Sequence, residues 1–475
     1  MTTIAETPAP AGTPSAEDSG LRYLTRAFAP VDTEMTTFDL AVEGEIPTAI
    51  DGLLVRNGPN PIAADPATYH WFLGEGMLHG IELSGGRALS YRNRWVRTDR
   101  AAPLLGEAKI EGQPDDTALA QVTGSVANTN IVCHAGRLLA LVEVNLPTEV
   151  DSALATRGRF DFGGRLRSSM TAHPHTDPVT GEMCFFGYDV LGPPFLRYHV
   201  ADSSGELVHS ADIEVGAPTM MHDFAITATR SIFLDLPVVF DLALVGVRPF
   251  PAMWKPEYGA RVGVMPRHGT SADVVWCEIE PCYVFHVLNA YDDPSSDAVI
   301  LDVCRYETMF DDDLHGIGGN TARLERWTIS PSARRVTTEI IADLPLEFPR
   351  PDERLLGRKH SVGFFAVPRF EADFAGADQI SLARIDLASG GVEVHDFGPG
   401  AVASEGVFVP ASEDAAEGEG YVLTIVGDVA GEHPSELVVL DATSFAAPPL
   451  ARIKLPQRVP LGFHGNFVPK MHAGA

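Results

Sequence analysis

Short apolar segments separated by turns recur along the whole chain. Segments of about four to eight residues with turn residues between them are typical of β-hairpins, and the pattern predicts four such pairs. The paired segments are 195–200 with 206–213, 324–329 with 336–341, 380–387 with 392–397, and 421–426 with 436–440. Long amphipathic helical patterns are scarce, so the sequence predicts an all-β protein.

The spacing of the predicted strands limits the architecture. Many short strands spread evenly over 475 residues are typical of a barrel, a set of sandwiches or a β-propeller. A propeller of about seven four-stranded blades would use about 65 residues per blade, and its innermost strands would surround one axis where distant residues could meet. The pattern alone leaves this choice open. Segment 237–254 departs from the pattern, because it is apolar and closed by prolines, and it is interpreted as helical or irregular.

Composition narrows the partners and the cellular setting. The formal net charge of −29 argues against nucleic acid or anionic lipid as a general partner. Residues 1–20 lack a secretory signal, so they are interpreted as a disordered tail before one domain spanning 21–475. Five cysteines without a CxxC pair are predicted to be reduced and buried, as in a cytoplasmic protein, namely Cys133, Cys184, Cys277, Cys282 and Cys304.

Four of the sixteen histidines lie in or beside apolar or small-residue runs: His173, His222, His286 and His464. An imidazole in such a setting needs a polar partner. These histidines are far apart in the chain, so only a fold that returns repeatedly to one point could unite them. Around an octahedral ion, four neutral imidazoles would leave two positions open for chemistry. His175, two residues after His173, is the rival candidate.

Three glutamates strengthen the prediction of a metal site. Glu143, Glu347 and Glu405 each lie within an apolar stretch, where a carboxylate is costly unless it is paired. The second N–H of a metal-bound histidine supplies such a pairing and fixes the ring tautomer. Ligation by nitrogen alone suits iron, copper, nickel or zinc. Outer carboxylates and open positions favour a redox ion that binds O2 over a closed structural zinc site.

Eight segments spread over residues 22–469 resemble the carotenoid cleavage oxygenases, a family that includes lignostilbene dioxygenases and the vertebrate retinoid isomerohydrolase. These segments lie in the order of that family and are 51–61, 70–79, 127–130, 171–175, 221–227, 285–290, 404–410 and 464–467. The resemblance implies an all-β, seven-bladed β-propeller, capped over the metal axis by a dome of loops and short helices.

The resemblance also implies the composition of the site. It predicts one Fe(II) per chain bound by the four histidines, with the three glutamates hydrogen-bonded to His222, His286 and His464 and no carboxylate partner for His173. Thr129 matches a residue that crowds one open iron position. Phe72 matches a residue that lines the substrate pocket. No organic cofactor and no obligate protein partner are implied.

The implied reaction is oxidative cleavage of a C=C bond by O2, which gives two carbonyl products from a lipophilic conjugated substrate. Relatives that cleave stilbenes or isoeugenol carry a lysine where this chain has Val142, and a tyrosine is expected where Trp95 stands. We therefore favour a carotenoid or apocarotenoid substrate, with a stilbene or phenylpropanoid as the alternative. A non-catalytic propeller that binds a lipophilic ligand is the third hypothesis.

Two further features carry predictions. Glu75 replaces the aspartate that the resemblance leads us to expect, and this change is interpreted as structural. Segment 237–254 could form an apolar rim at the mouth of a substrate tunnel and contact a membrane peripherally. The competing interpretation is that this segment packs inside the dome.

Overall fold

The computed structural model describes residues 21–117, 124–311, 315–317, 320–369 and 378–470. The predicted tail 1–20 lies outside these ranges. The described strands form a seven-bladed β-propeller. The strand given first for each blade below is the one nearest the axis. The all-β prediction and the propeller implied by the family resemblance are therefore confirmed.

The blades are numbered here by the position of their innermost strands in the chain. Blade 1 contains Asn130–His134, Arg137–Leu141, Thr148–Val150 and Thr156–Arg159. Blade 2 contains His175–Thr176, Met183–Tyr188, Leu196–Ala201 and Leu207–Ile213. Blade 3 contains Ala225–Ile226, Arg230–Asp235, Ala260–Pro266 and Val275–Ile279. Blade 4 contains Tyr283–Asp292, Val299–Tyr306, Arg323–Ser330 and Arg335–Ala342.

The other three blades complete the ring. Blade 5 contains Glu347–Arg350, Val362–Arg369, Gln379–Asp386 and Gly391–His395. Blade 6 contains Val407–Pro410, Gly420–Asp428, Glu436–Asp441, Ala451–Lys454 and the outer strand Val42–Gly44. Blade 7 contains Gly465–Pro469, Gly52–Pro59, Gly76–Ser84, Arg87–Trp95 and the outer strand Met35–Phe38. Strand Ala401–Ala403 pairs with both blade 5 and blade 6.

The ring closes by pairing the two ends of the domain. In blade 7, Gly465–Pro469 from the end of the described chain pairs with Gly52–Pro59 from its beginning. This antiparallel pairing removes the free sheet edge that an open ring would leave. It also holds His464, the residue before Gly465, at the axis.

Helices are short in the described part of the chain. One α-helical turn spans Ala101–Leu104. The 3-10 turns are Arg22–Leu24, Arg26–Phe28, Trp71–Leu73, Leu242–Leu244, Pro256–Tyr258, Ser271–Asp273 and Glu353–Leu355. Among the described residues, none of the helices has the length and hydropathy that crossing a membrane requires.

All four predicted hairpins are present, with strand ends that differ from the predicted ones by one or two residues in most cases. Segment 237–254 forms no α-helix. Its ends pair as a small hairpin, Val238–Phe240 with Ala252–Trp254, because Pro249 and Pro251 cannot donate helical hydrogen bonds. The cysteines are all free thiols, but Cys133 is exposed rather than buried, so that part of the prediction is wrong.

Candidate metal centre

Each blade contributes one site residue near the start of its innermost strand. Since the seven innermost strands run in the same direction along the axis, residues at their starts meet at one end of the propeller. In the order of blades 1 to 7, these residues are Thr129, His173, His222, His286, Glu347, Glu405 and His464. Glu143 is the exception, because it lies after the second strand of blade 1.

The four predicted histidines converge on one point. Their Nε2 atoms are separated by 3.0 Å between His173 and His222, 3.3 Å between His222 and His286, and 3.2 Å between His286 and His464. All four offer a nitrogen within 4.8 Å of the others, and all four are buried. Nitrogens that share an ion at about 2.1 Å are separated by about 3 Å when their bonds are perpendicular. The spacing therefore suits a common ion.

Three of the histidine rings contact the predicted glutamates through Nδ1, the ring nitrogen that faces away from the centre of the cluster. His286 Nδ1 donates to Glu347 Oε2 at 2.5 Å, and His464 Nδ1 donates to Glu405 Oε1 at 3.0 Å. His222 Nδ1 contacts Glu143 Oε1. Because the carboxylates accept hydrogen bonds from Nδ1–H and so keep the proton on Nδ1, the Nε2 lone pairs point at one another. Facing lone pairs in a buried site repel, so a cation between them completes the arrangement.

His173 lacks such a carboxylate in the part of the chain that the structure describes. Its backbone N–H donates to Thr171 Oγ1 at 3.1 Å, which positions the residue just before the strand of blade 2. The rival His175 points elsewhere, because its Nε2 lies 2.7 Å from the carbonyl oxygen of Phe224 and 3.0 Å from Asp223 Oδ1. The structure thus separates the two neighbouring histidines, and His175 does not belong to the cluster.

Sequence reasoning missed the partners of the glutamates. Tyr188 donates its hydroxyl to Glu143 Oε2, and Tyr306 donates to Glu347 Oε1 at 2.9 Å. The third glutamate, Glu405, is paired instead with Arg350, whose Nη1 lies 3.2 Å from Glu405 Oε2. Nothing in the sequence around the two tyrosines distinguishes them from core residues. Only the fold brings them to the carboxylates.

The surroundings set the charge states of the site. Burial, helped by the adjacent imidazoles, holds the pKa of His173 well below its usual value. Burial likewise lowers the pKa of His464, against the opposing pull of Glu405. Burial raises the pKa of Glu405, but Arg350 and His464 outweigh it and bring the pKa to about 2. These two imidazoles are therefore neutral at pH 7, as metal ligands must be, while the carboxylate is ionised.

Irregularities in the backbone direct some of these side chains toward the axis. The pairing of blade 4 shifts register between Val284 and Val287, on either side of His286. The pairing of blade 5 shifts register after Glu347, and Phe348 adopts a φ of 50°. A non-glycine residue in the left-handed region is strained. Here the backbone N–H of Phe348 donates to Glu347 Oε2 at 2.6 Å, which ties the strained turn to the carboxylate.

A mostly apolar cavity adjoins the histidines. Aromatic rings form much of its wall, and they include Phe72, Phe240, Phe250, Phe285, Phe348 and Phe463. The ring centre of Phe72 lies 5.5 Å from that of Phe250 and 5.7 Å from that of Phe463. Stacked and edge-to-face rings of this kind suit a flat conjugated ligand.

The predictions about residues that contact the substrate are confirmed for some residues and not for others. Thr129, Phe72 and Val142 all line the cavity. The hydroxyl of Thr129 donates to Asn128 Oδ1 at 3.0 Å, so it is already engaged. Trp95 does not line the cavity, because its Nε1 donates to the carbonyl oxygen of Asn60 and its ring is buried beside Met77. The expectation that Trp95 replaces a phenol-contacting residue is therefore wrong.

The structure is a β-propeller with an apolar cavity and a buried group of four histidines that could hold a metal ion. The model of the retinal pigment epithelial membrane protein family matches residues 28–469. A carotenoid cleavage oxygenase of Mycobacterium tuberculosis is 40% identical, over 96% of this chain and 99% of that protein. An isoeugenol monooxygenase of Pseudomonas nitroreducens is 34% identical, over 94% and 98%.

A solved structure agrees with these relatives. The lignostilbene dioxygenase of Pseudomonas brassicacearum superposes with a TM-score of 0.84 at 30% identity, over 94% of this chain and 98% of that one. The chain therefore belongs to the carotenoid cleavage oxygenase family, to which the retinal pigment epithelial membrane protein also belongs, and it is an oxygenase.

Proposed function

We propose that the protein is a non-haem Fe(II) dioxygenase that cleaves a C=C bond of a carotenoid or apocarotenoid with O2 and yields two carbonyl products. The observation that carries the proposal is the convergence of four histidine nitrogens beside an apolar cavity. His173, His222, His286 and His464 would hold the ion, and Glu143, Glu347 and Glu405 would orient three of them. The iron, when bound, supplies the activation of O2.

The charges around the cluster support a divalent ion. Glu143, Glu347 and Glu405 place three carboxylates against the histidines, and Arg350 contacts one of them, Glu405. In a buried site an uncompensated charge is costly. Imidazoles that bind an ion through a ring nitrogen add no charge of their own, so the carboxylates supply the negative charge that offsets a divalent cation.

The cavity supports a long conjugated substrate. Phe285 packs its ring edge-on to His222 with centres 5.0 Å apart, so an apolar wall begins directly beside the cluster. A polyene held against such a wall would be fixed with one double bond near the ion, which is the main contribution of a protein to this chemistry. Val142, another apolar residue of the wall, lies next to Glu143 and offers a phenolate no cation at that position, although Arg100 and Arg248 also line the cavity.

The alternative substrate class is a stilbene or phenylpropanoid. Two of the similar proteins are named for isoeugenol and for lignostilbene. The position of Trp95 outside the cavity also removes one of the two sequence arguments against phenolic substrates. The argument from Val142 remains, and it favours the carotenoid class.

Turnover under 18-O2 distinguishes the two classes. We expect the iron-loaded protein to cleave an apocarotenal with a kcat/KM at least about 10-fold above that for resveratrol, because the loss of one charged hydrogen bond is worth about that factor. Mass spectrometry of products reduced at once, before aldehydes exchange with water, should find label in both fragments. The variant Val142→Lys should reduce the difference in kcat/KM between the apocarotenal and resveratrol. Preferential cleavage of resveratrol would favour the alternative, and no cleavage of either would refute the proposal.

Peripheral membrane contact is the second part of the proposal. Most residues of the loop 241–251 line the cavity, and the same loop exposes Leu242 by 45%, Val245 by 44% and Val247 by 73%. An exposed apolar group next to a cavity for a lipophilic substrate suits docking on a bilayer. Insertion would give the substrate a path from the membrane that avoids water.

Flotation with neutral phosphatidylcholine liposomes tests this contact. The wild-type protein is expected to float with the vesicles, and Val247→Asp to remain at the bottom because a charge at the apolar rim opposes insertion. Val179→Asp is the matched control, since Val179 is also 73% exposed but lies outside the loop 241–251 that lines the cavity. Absence of wild-type flotation, or equal loss in both variants, would remove the membrane part of the proposal.

A further inference from the structure

Arg100 places a cation in the wall of the mostly apolar cavity. Its Nε lies 2.8 Å from Oε1 of Glu75, a carboxylate that is fully buried. The other oxygen of Glu75 accepts the backbone N–H of Ile62 at 2.9 Å. Gly124 packs against the aliphatic part of the arginine, where an added Cβ would lie 3.2 Å from its Cβ and Cδ. The stem of Arg100 is therefore held in place.

The two terminal nitrogens of the Arg100 side chain are available to bind a ligand. Within the described residues, Nη1 and Nη2 of Arg100 make no hydrogen bond and no ion pair, and the side chain is 33% exposed. Several other polar groups of the cavity are already engaged. Tyr188 and Tyr306 donate to Glu143 and Glu347, whose oxygens also contact histidines.

We propose that Arg100 binds an oxygen atom at one end of the conjugated substrate, so that a polyene with a terminal hydroxyl, carbonyl or carboxylate is preferred over the plain hydrocarbon. This inference rests on the proposed cleavage of such substrates in this cavity. Because Glu75 balances the charge of Arg100, the guanidinium acts as a hydrogen-bond donor, and a neutral oxygen suffices as acceptor.

The geometry gives this contact a consequence for the reaction. An apolar cavity allows a polyene to slide along its axis, since its walls make no directional contacts. One fixed donor on the wall removes that freedom, because a small number of placed polar groups determines the orientation of a ligand. The distance between the bound oxygen and the metal would then select which double bond is cleaved. Arg100 is thus a specificity residue.

Glu75 gains a role in this arrangement. The glutamate at this position, where the family resemblance leads us to expect an aspartate, is interpreted as a structural change, and the full burial of Glu75 agrees with that interpretation. Its carboxylate also contacts the one nitrogen of Arg100 that lies closest to the stem, which leaves both terminal nitrogens without a partner among the described residues. The buried carboxylate and the exposed guanidinium therefore act as one unit.

The test compares polyenes of equal length that differ only in a terminal group: a hydrocarbon, its terminal alcohol and its terminal carboxylic acid. We expect the wild-type protein to prefer both oxygenated forms by about 10- to 100-fold in kcat/KM, the range for a hydrogen bond to a charged group. The same preference should appear in the Kd of the metal-free protein. A preference for the acid alone would indicate recognition by charge and contradict the neutral acceptor.

Variants assign the preference to Arg100. Arg100→Met should abolish it in both measurements, and the site of cleavage should become mixed. Because this change leaves Glu75 buried without its partner, the double variant Glu75→Gln with Arg100→Met is measured as well. Arg248→Met is the matched control, since Arg248 also lines the cavity but lies on the exposed loop 241–251, and it should retain the preference.

The outcomes separate this inference from the proposed function. Cleavage of all three polyenes without preference, or a preference that survives in both Arg100 variants, would overturn the role of Arg100 and leave the function intact. Equal impairment of all three polyenes by Arg100→Met and by the double variant would also overturn it, because a structural role has that effect. No cleavage of any polyene or apocarotenal by iron-loaded wild-type protein would refute the function instead.

Discussion

The variant His222→Ala is expected to lose bound iron and activity together. His222 is central in the cluster, with its Nε2 3.0 Å from that of His173 and 3.3 Å from that of His286. Removing it takes away one ligand and leaves Glu143 without the imidazole that it contacts. We expect the iron content to fall from about one per chain to below about one tenth, and kcat/KM to fall at least about 1000-fold.

The control for this variant is His175→Gln. His175 is two residues from His173, but its Nε2 contacts the carbonyl oxygen of Phe224 and Asp223, and a glutamine amide can replace that hydrogen-bond donor. Iron content, measured by plasma emission spectrometry after anaerobic reconstitution, should stay near one per chain. Iron retained in His222→Ala, or lost in His175→Gln with the fold intact by circular dichroism, would contradict the assignment of ligands.

The variant Arg350→Met is expected to show the largest loss of stability. Arg350 is 11% exposed and pairs with Glu405, which is 3% exposed. It also donates to the carbonyl oxygen of Gly465 at 3.1 Å and to Asn466 Oδ1 at 2.7 Å. Removing one member of a buried pair costs about 3–5 kcal/mol, because the other charge stays buried. Urea unfolding of the metal-free protein measures the difference in the free energy of unfolding.

The pH dependence of this loss follows from Glu405. Its pKa is lowered from 4.5 to about 2 in the folded protein, chiefly through Arg350 acting against burial. A lowered carboxyl pKa stabilises the fold above the unfolded pKa, and this stabilisation disappears as the pH falls through the folded pKa. The difference between wild type and Arg350→Met is therefore expected to be greatest above about pH 5 and to narrow toward pH 2.

A surface pair provides the comparison. Arg137 and Glu149 form an ion pair at 2.8 Å with side chains exposed by 46% and 26%, so Arg137→Met should cost less than about 1 kcal/mol. A loss in Arg350→Met no greater than that in Arg137→Met would mean that Glu405 finds another counter-charge. The role assigned to Arg350 as the counter-charge of Glu405 would then be incorrect.

Much of the fold could be predicted from local patterns in the sequence. The hairpins were recognisable because turn residues such as 202–205 and 389–391 interrupt apolar segments, and this depends only on neighbouring residues. The choice of a propeller did not follow from local pattern. It followed from the family resemblance, although the site residues Thr129 to His464 are spaced by about 45 to 65 residues, close to one blade each.

The site was only partly visible in the sequence. The histidines and glutamates stood out because ionisable groups within apolar runs need partners. Tyr188, Tyr306 and Arg350 did not stand out, since a tyrosine in a strand is ordinary and Arg350 follows a proline-containing turn without any marked pattern. Their roles depend on contacts between blades. The hairpin at the ends of segment 237–254 was not predicted for a similar reason, because it forms from residues more than ten positions apart.

The most direct test of the metal centre is X-ray absorption spectroscopy of protein loaded with iron under anaerobic conditions. Four imidazole nitrogens at about 2.1 Å around one ferrous ion per chain are expected, together with outer-shell scattering from the rings. A sulfur ligand, fewer than four imidazoles, or protein that takes up no iron would contradict the account.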